Sequence, residues 1–356
     1  MNSPLPMPPL AKLRAILHAG LHAPSAENQH FLRFELGADD VRLVSTDTST
    51  WNAQPHRRVL ALIAYGAVVE NMSLRAGQLG LVQHTRCFPD PKRSEVIVQM
   101  HWEPSPALGD ALADGIEQRH TNRRFYRREP VAPAALQRVA DAAAGGSGTS
   151  LHWLAAPTDR SLALRTMRLA ESERFCRKAL HEELFGAIRF DAGWKRSTDQ
   201  GLPPGALEIE LPSRPAFAAL RHWPLMRVCA ALGMHHVLGL RAADLPCRFA
   251  PGIGIVCCRA GDAGRGALDA GRALQRAWLA ATLEGLAFQP MAAAVALAHQ
   301  RPGNGWVSAS AQQRIRDGLA QLAGSGKGLP FMLFRLGRAA PPTVSTQRPP
   351  LDRFIA

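Results

Sequence analysis

The chain has 356 residues, 46% hydrophobic and 20% charged, which excludes a disordered polypeptide and allows one large domain or two ordinary ones. Forty-two basic against 29 acidic residues leave a net charge of +13, which favours anionic partners. The surplus is nearly all arginine, scattered, and densest over residues 119–128; with no polybasic tail and no basic helix interleaved with aromatics, nucleic acid is not an expected partner.

Residues 1–10 are proline-rich and lack the basic head and apolar stretch of a signal peptide. No run of about 20 apolar residues is present, so no membrane span is expected. A helix is predicted over residues 9–21, ending before Pro24 because proline drives its predecessor out of helical geometry. Residues 31–36 and 41–44 read as strands. Residues 57–81 read as a long helix, apolar almost all round and so buried, closed by Gly80. A strand at 96–98 and a helix over 107–119 follow. Another helix spans 133–143, then Gly145-Gly146-Ser147-Gly148, a strand at 151–154 and a charged helix over 160–184. Residues 191–215, rich in glycine, proline and polar side chains, read as a lid or binding loop, with Trp194 as a candidate stacking residue. A strand at 252–258 buried on both faces, an apolar helix over 267–286, a strand at 330–337 and an extended tail from 341 complete the chain.

Several features resolve to structure rather than chemistry. The six cysteines, at 87, 176, 229, 247, 257 and 258, show neither a Cys-x-x-Cys pair nor metal-ligand spacing, which reads as a reduced protein with a cytoplasmic location. Gly261-x-x-Gly264-x-Gly266 has the wrong spacing for a dinucleotide fingerprint and reads as a turn. His235 and His236 diverge by about 100° if helical, which disfavours a shared metal.

Two stretches carry chemistry. In Arg119-His120-Thr121-Asn122-Arg123, an extended backbone would aim Arg119, Thr121 and Arg123 to one side, making a phosphate cradle of two guanidinium forks around a hydroxyl. Pro24-Ser25-Ala26-Glu27-Asn28-Gln29 offers a hydroxyl and a carboxamide after a helix-breaking proline, suited to a flat heterocycle. Each alone has an ordinary reading: a charged strand edge for the first, a common loop composition for the second.

Together, Arg-x-Thr-x-Arg and Pro-Ser-x-x-Asn-Gln resemble the flavin-binding signatures of the nitroreductase family. In that family the flavin mononucleotide (FMN) lies at a dimer interface, one subunit giving the phosphate cradle and the other the Pro-Ser turn. Here both sit on one chain, which resembles the double-length, Acg-like branch. The resemblance implies an α+β, nitroreductase-like fold in which a tandem duplication forms an intramolecular pseudo-dimer. The halves would be residues 1–106 and 107–356, with a lid-like insertion at about 185–250. Arg119, Thr121 and Arg123 would hold the phosphate; Pro24, Ser25 and Asn28 would face the ring. Asp269-x-Gly271-x-x-x-Gln275 resembles the central helix. Phe288-Gln289-Pro290-Met291-Ala292 resembles the loop beneath the isoalloxazine, with a backbone N–H near Ala292 serving N5. Gln347-Arg348-Pro349-Pro350 resembles the terminal basic-proline segment, making Arg348 a further phosphate ligand. The family's Gln-Pro-Trp reads Gln29-His30-Phe31 here, and only one of the two pseudo-symmetric sites is equipped, so one flavin per chain is expected.

The implied function is an FMN-dependent oxidoreductase passing hydride from NADH or NADPH to a small electron-poor acceptor (nitroarene, quinone or enone) by a ping-pong scheme. No protein nucleophile is needed, because the cofactor carries the chemistry. The alternative is an FMN storage or sequestration protein whose lid denies turnover. Either would act as a monomeric pseudo-dimer or weak homodimer.

Overall fold

The computed structural model describes residues 7–106, 109–144, 148–259, 261–303, 305–324 and 326–356. The Gly-Gly-Ser stretch at 145–147 lies outside them. The architecture is α+β, with two four-stranded antiparallel sheets.

The first half runs α1 (Leu10–Leu21), β1 (Leu32–Leu36), β2 (Val41–Ser45), α2 (Pro55–Gln78), β3 (Leu81–Cys87) and β4 (Val96–Pro104), with strand order β1-β2-β4-β3. The second opens with α3 (Pro133–Ala143) and β5 (Thr149–Trp153). The chain then leaves the sheet through α4 (Pro157–Cys176), α5 (Lys178–Gly186), α6 (Arg214–Ala219), α7 (Trp223–Ala231), α8 (Met234–Gly239) and α9 (Leu245–Phe249). It returns as β6 (Gly252–Cys258), α10 (Ala263–Leu283), β7 (Ala287–Met291), α11 (Ala293–His299), α12 (Ala309–Ala323) and β8 (Leu329–Gly337). The second sheet, β5-β6-β8-β7, repeats the order of the first. Each inner strand pair carries a register shift, at Leu43/Val44 in one sheet and Val256/Cys257 in the other.

Local chemistry explains the elements. Pro55 starts α2, where a missing N–H costs nothing. Asp262 caps α10 by accepting from the Arg265 N–H at 2.8 Å. Gly80 and Gly285, both at positive φ, stop the two long helices, and a leucine opens the way to the next strand in each case. β6 is buried along its whole length, as a central strand covered on both faces must be.

Helices α2 and α10 cross at the centre with their backbones touching. A Cβ on Gly66 would overlap the Leu268 carbonyl, and one on Gly271 would overlap the Ile63 carbonyl. The crossing also carries polar ties. Gln275 Nε2 donates to Asn71 Oδ1 at 2.7 Å, and Glu70 accepts from Arg272 (2.8 Å) and Arg276 (2.9 Å). Among the described residues α2 is the one helix long and apolar enough to cross a membrane; 72% of its apolar window is buried inside the molecule, as expected of a core helix.

Several expectations change. The single charged helix expected over 160–184 breaks at Arg177, whose φ of −111° and ψ of 126° separate α4 from α5. Of the helix predicted over 107–119, residues 107 and 108 lie outside the described residues and the rest shows only a 3-10 turn, Ala111–Gly115, fixed by Asp110 accepting from the Leu112 N–H. Residues 119–123 join no strand, so no alternation is imposed on them. Residues 288–292, expected as a loop, run as strand β7 up to Met291, because Ala287 to Met291 pair with Gly337 to Leu333 of β8.

Candidate functional site

Pro24 ends the approach from α1, and a 3-10 turn, Ala26–Asn28, follows. Within it Glu27 and Asn28 take φ of +55° and +56°. Asparagine tolerates this region; for glutamate it costs about 1–2 kcal/mol, which surrounding contacts must hold. The holding contacts converge on Asn28. Its Nδ2 donates to the Gly201 carbonyl at 3.2 Å, its own carbonyl accepts from the Gly201 N–H at 3.1 Å, and its Oδ1 accepts from Arg348 Nη1 at 2.7 Å. The carboxamide expected to face a ring is therefore buried and spent on the protein, clamping the turn between the α4–α9 excursion and the C-terminal tail.

The arginine segment is pinned by the residue between its forks. Asn122 takes the Phe288 carbonyl through its N–H at 3.0 Å and the Ala340 carbonyl through Nδ2 at 2.8 Å, while its own carbonyl accepts from the Tyr126 hydroxyl at 2.7 Å. That fixes Arg119 over the Trp278 ring at 4.4 Å, with Nη2 donating to the His22 carbonyl at 2.9 Å. Arg123 Nη1 reaches the Ala206 carbonyl at 3.3 Å. Arg348 also donates to the carbonyls of Leu21 (2.8 Å) and Ala23 (3.0 Å). Arg119, Thr121, Arg123 and Arg348 line one small recess together with Ser25 and Thr346. None of its three arginines forms an ion pair among the described residues, and Arg119 Nε is buried with no hydrogen-bond partner. Burial, reinforced by Arg348, lowers Arg119 to about 9; burial, with Arg335, lowers Arg123 to about 10; burial lowers Arg348 to about 10.

The recess adjoins a cavity of about 280 Å³. Thr121, Arg123, Pro24, Ser25 and Glu27 line both. The cavity walls are apolar: Leu60, Ala64 and Val68 of α2, Trp278 of α10, and Pro290, Met291 and Ala292 where β7 meets α11. The excursion closes one side with Leu180, Leu184, Leu202 and Leu207. An acidic group also lines the cavity, with Glu27 reaching the recess as well. Arg174 Nη2 pairs with Glu27 at 2.8 Å and its Nη1 with Glu171 at 3.4 Å, while His56 Nε2 meets Glu183 at 3.0 Å. Burial pushes Glu27 up to about 7 against the pull of Arg174. Burial works against Arg174, yet Glu171, Glu27 and Glu183 hold it above its usual value. Burial holds His22 down to about 4 and His30 to about 3, so both are neutral at pH 7.

The two signature segments thus meet at one slot, with Pro290, Met291 and Ala292 on its wall. Trp194 does not line it and carries Arg214 on its ring at 4.8 Å instead. Sequence reasoning missed Glu27, Glu171, Arg174, Glu183, His56 and Trp278. Glu27 lay inside the turn already singled out; the Glu171-x-x-Arg174 pair lay on the charged helix and carried no motif.

No protein-family model matches the chain. It is 26% identical over 315 residues to an uncharacterized protein of Mycobacterium tuberculosis, MT1398, a match taking in 80% of this chain and 40% of that one. The chain therefore spans well under half the length of that curated relative. Among solved structures it is similar to the FMN-dependent nitroreductase NfnB of Mycobacterium smegmatis in complex with NADPH, at 19% identity and a TM-score of 0.37, over 68% of this chain and 96% of that one. It is also similar to a nitroreductase with bound FMN from Bacteroides fragilis, at 15% identity and a TM-score of 0.35, over 65% of this chain and 89% of that one. These likenesses are partial.

Proposed function

We propose that the chain is an FMN-binding oxidoreductase of nitroreductase type, its two like-ordered halves arising by duplication and enclosing one flavin. The observation that carries this is the arginine recess. Three desolvated guanidiniums without carboxylate partners are costly unless an anion completes them, and they stand beside two hydroxyls at the end of an apolar slot lined by flat and small side chains. The buried, partnerless Arg119 Nε and the lowered arginines fit a phosphate-bearing ligand that a neutral one would leave unmatched.

With flavin bound, the chemistry supplied is hydride relay from NADH or NADPH to a small electron-poor acceptor such as a nitroarene, quinone or enone. The chain's own residues do the rest. Arg119, Arg123 and Arg348 neutralise the phosphate, with Thr121 and Ser25 as hydroxyl partners. Pro24 shapes the turn and Asn28 secures it. Trp278 and the Pro290–Met291–Ala292 corner, on the cavity wall, would pack against the ring system, and Leu180, Leu184, Leu202 and Leu207 would exclude water. Glu27 holds a proton near neutral pH on the cavity wall.

One observation favours a second reading, FMN storage: Asn28 and Arg123 bond to Gly201 and Ala206 and so fasten the excursion over the slot. The spectrum of the purified chain, followed by anaerobic NADPH titration, separates the two. A yellow protein that bleaches supports the oxidoreductase; one that stays yellow supports storage; a colourless protein that takes up no added FMN overturns both. Arg119→Ala with Arg123→Ala should abolish flavin retention, and unchanged occupancy would refute the cradle.

A further inference from the structure

A second cluster of ligating side chains lies on the first sheet. β3 is an edge strand whose outward residues are Val82, His84 and Arg86. His84 stands directly across from His101 of β4, and Val82 across from Glu103. Alternation along β4 puts His101 and Glu103 on one face, so both imidazoles and the carboxylate converge. The rings stack with centroids 4.9 Å apart and planes 15° off parallel. His84 Nε2 lies 3.5 Å from Glu103 Oε2, and one ligand atom from each of the three residues falls within 4.8 Å of the others. This is the one such group among the described residues.

We propose that His84, His101 and Glu103 form a divalent transition-metal site of the zinc or nickel class. The warrant is the donor set and its spacing. Two imidazoles and a carboxylate suit borderline ions, and ligand atoms about 2.0–2.2 Å from one tetrahedral ion stand about 3.3 Å apart, so small side-chain rotations close the set. The carboxylate offsets part of the ion's charge. The strands behind are rigid, with Trp102 buried on the opposite face and its Nε1 donating to Gln83 Oε1 at 3.1 Å. His84 and Glu103 side chains are 44% and 40% exposed, which gives the ion an entry path and open positions for water. The nearest cations of the same face stand farther along it: Arg86 opposite Gln99, one same-face pair beyond the imidazoles, and Arg42 of β2 across from Gln99, where it pairs with Asp40 at 3.0 Å. Bound there, the ion staples the edge strand β3 to β4.

The test is calorimetric titration of the untagged chain with ZnCl₂, repeated with NiCl₂, at pH 7.5 and 5.5. One ion per chain is expected, bound more weakly at pH 5.5 because the imidazoles must be neutral to ligate. His84→Gln with His101→Gln should cost at least about tenfold in affinity, and Glu103→Gln less. His84 is exposed and His101 and Glu103 are half-buried on the outer face, outside the core, so the variants should keep their far-ultraviolet circular dichroism. The proposal is overturned if the chain shows no saturable 1:1 binding, or if the double variant binds as the parent does, which would place the ion elsewhere.

Discussion

Arg348 donates to Asn28 Oδ1 at 2.7 Å, joining two residues 320 positions apart in the chain. The bond ties the C-terminal tail to the turn that edges the cavity; Asn28 is buried and Arg348 half-buried. Truncation of Asn28 to alanine would leave the guanidinium short of one charge-assisted acceptor and free the Gly201 loop. The expected loss is about 2–3 kcal/mol of unfolding free energy, read from urea denaturation. A change below about 0.5 kcal/mol would show that the clamp does not hold the turn.

Replacement of Arg119 by methionine should separate stability from binding. Without ligand, the guanidinium is desolvated beside Arg348, so its loss should leave the melting temperature unchanged or raise it. With FMN added, the variant should gain at least tenfold less affinity, since one lost charge-assisted contact is worth about 1.5–3 kcal/mol. A stability loss together with unaltered FMN binding would contradict the anion role.

Glu27 should make stability fall as pH rises. Its folded value, about 7, lies above the ordinary 4.5, so between those values the folded state keeps a proton that the unfolded state has lost. The contribution is present below 4.5 and lost as pH climbs through 7, a swing of at most about 2–3 kcal/mol. Glu27→Gln should flatten that part of the profile. Denaturation at pH 5 and pH 8 for both proteins is the measurement, and parallel profiles would rule Glu27 out.

Gly66→Ala or Gly271→Ala should destabilise by about 3 kcal/mol or block folding, because the added methyl would overlap backbone that cannot step aside. Gly186→Ala, with nothing within 4 Å of its Cβ position, should be neutral or slightly stabilising. Equal melting temperatures for the two classes would disprove the close crossing.

The strands and long helices were legible because burial writes itself into composition: β6 is apolar throughout, α2 is apolar nearly all round, α10 carries one continuous apolar face, and both helices are stopped by glycine. The meeting of the Pro24 turn with the Arg119 segment was legible only through paired motifs, since no local rule links positions so distant. β3 was not legible as a strand, because an edge strand reading Leu-Val-Gln-His-Thr-Arg-Cys carries a weak alternation. The Asn28 clamp was invisible for another reason. Whether a carboxamide faces a ligand or its own chain depends on what Gly201 and Arg348 bring to it, and both arrive from far along the sequence. The acidic wall at Glu27, Glu171 and Glu183 went unread because α4 and α5 show only ordinary charge periodicity.

The contact of α2 with α10 has a mechanical consequence. Where two main chains already touch, neither can shift toward or past the other, so the rear of the slot behaves as an anvil. Room for any guest larger than the resting space has to come from the walls away from that crossing, such as the side closed by Leu180, Leu184, Leu202 and Leu207.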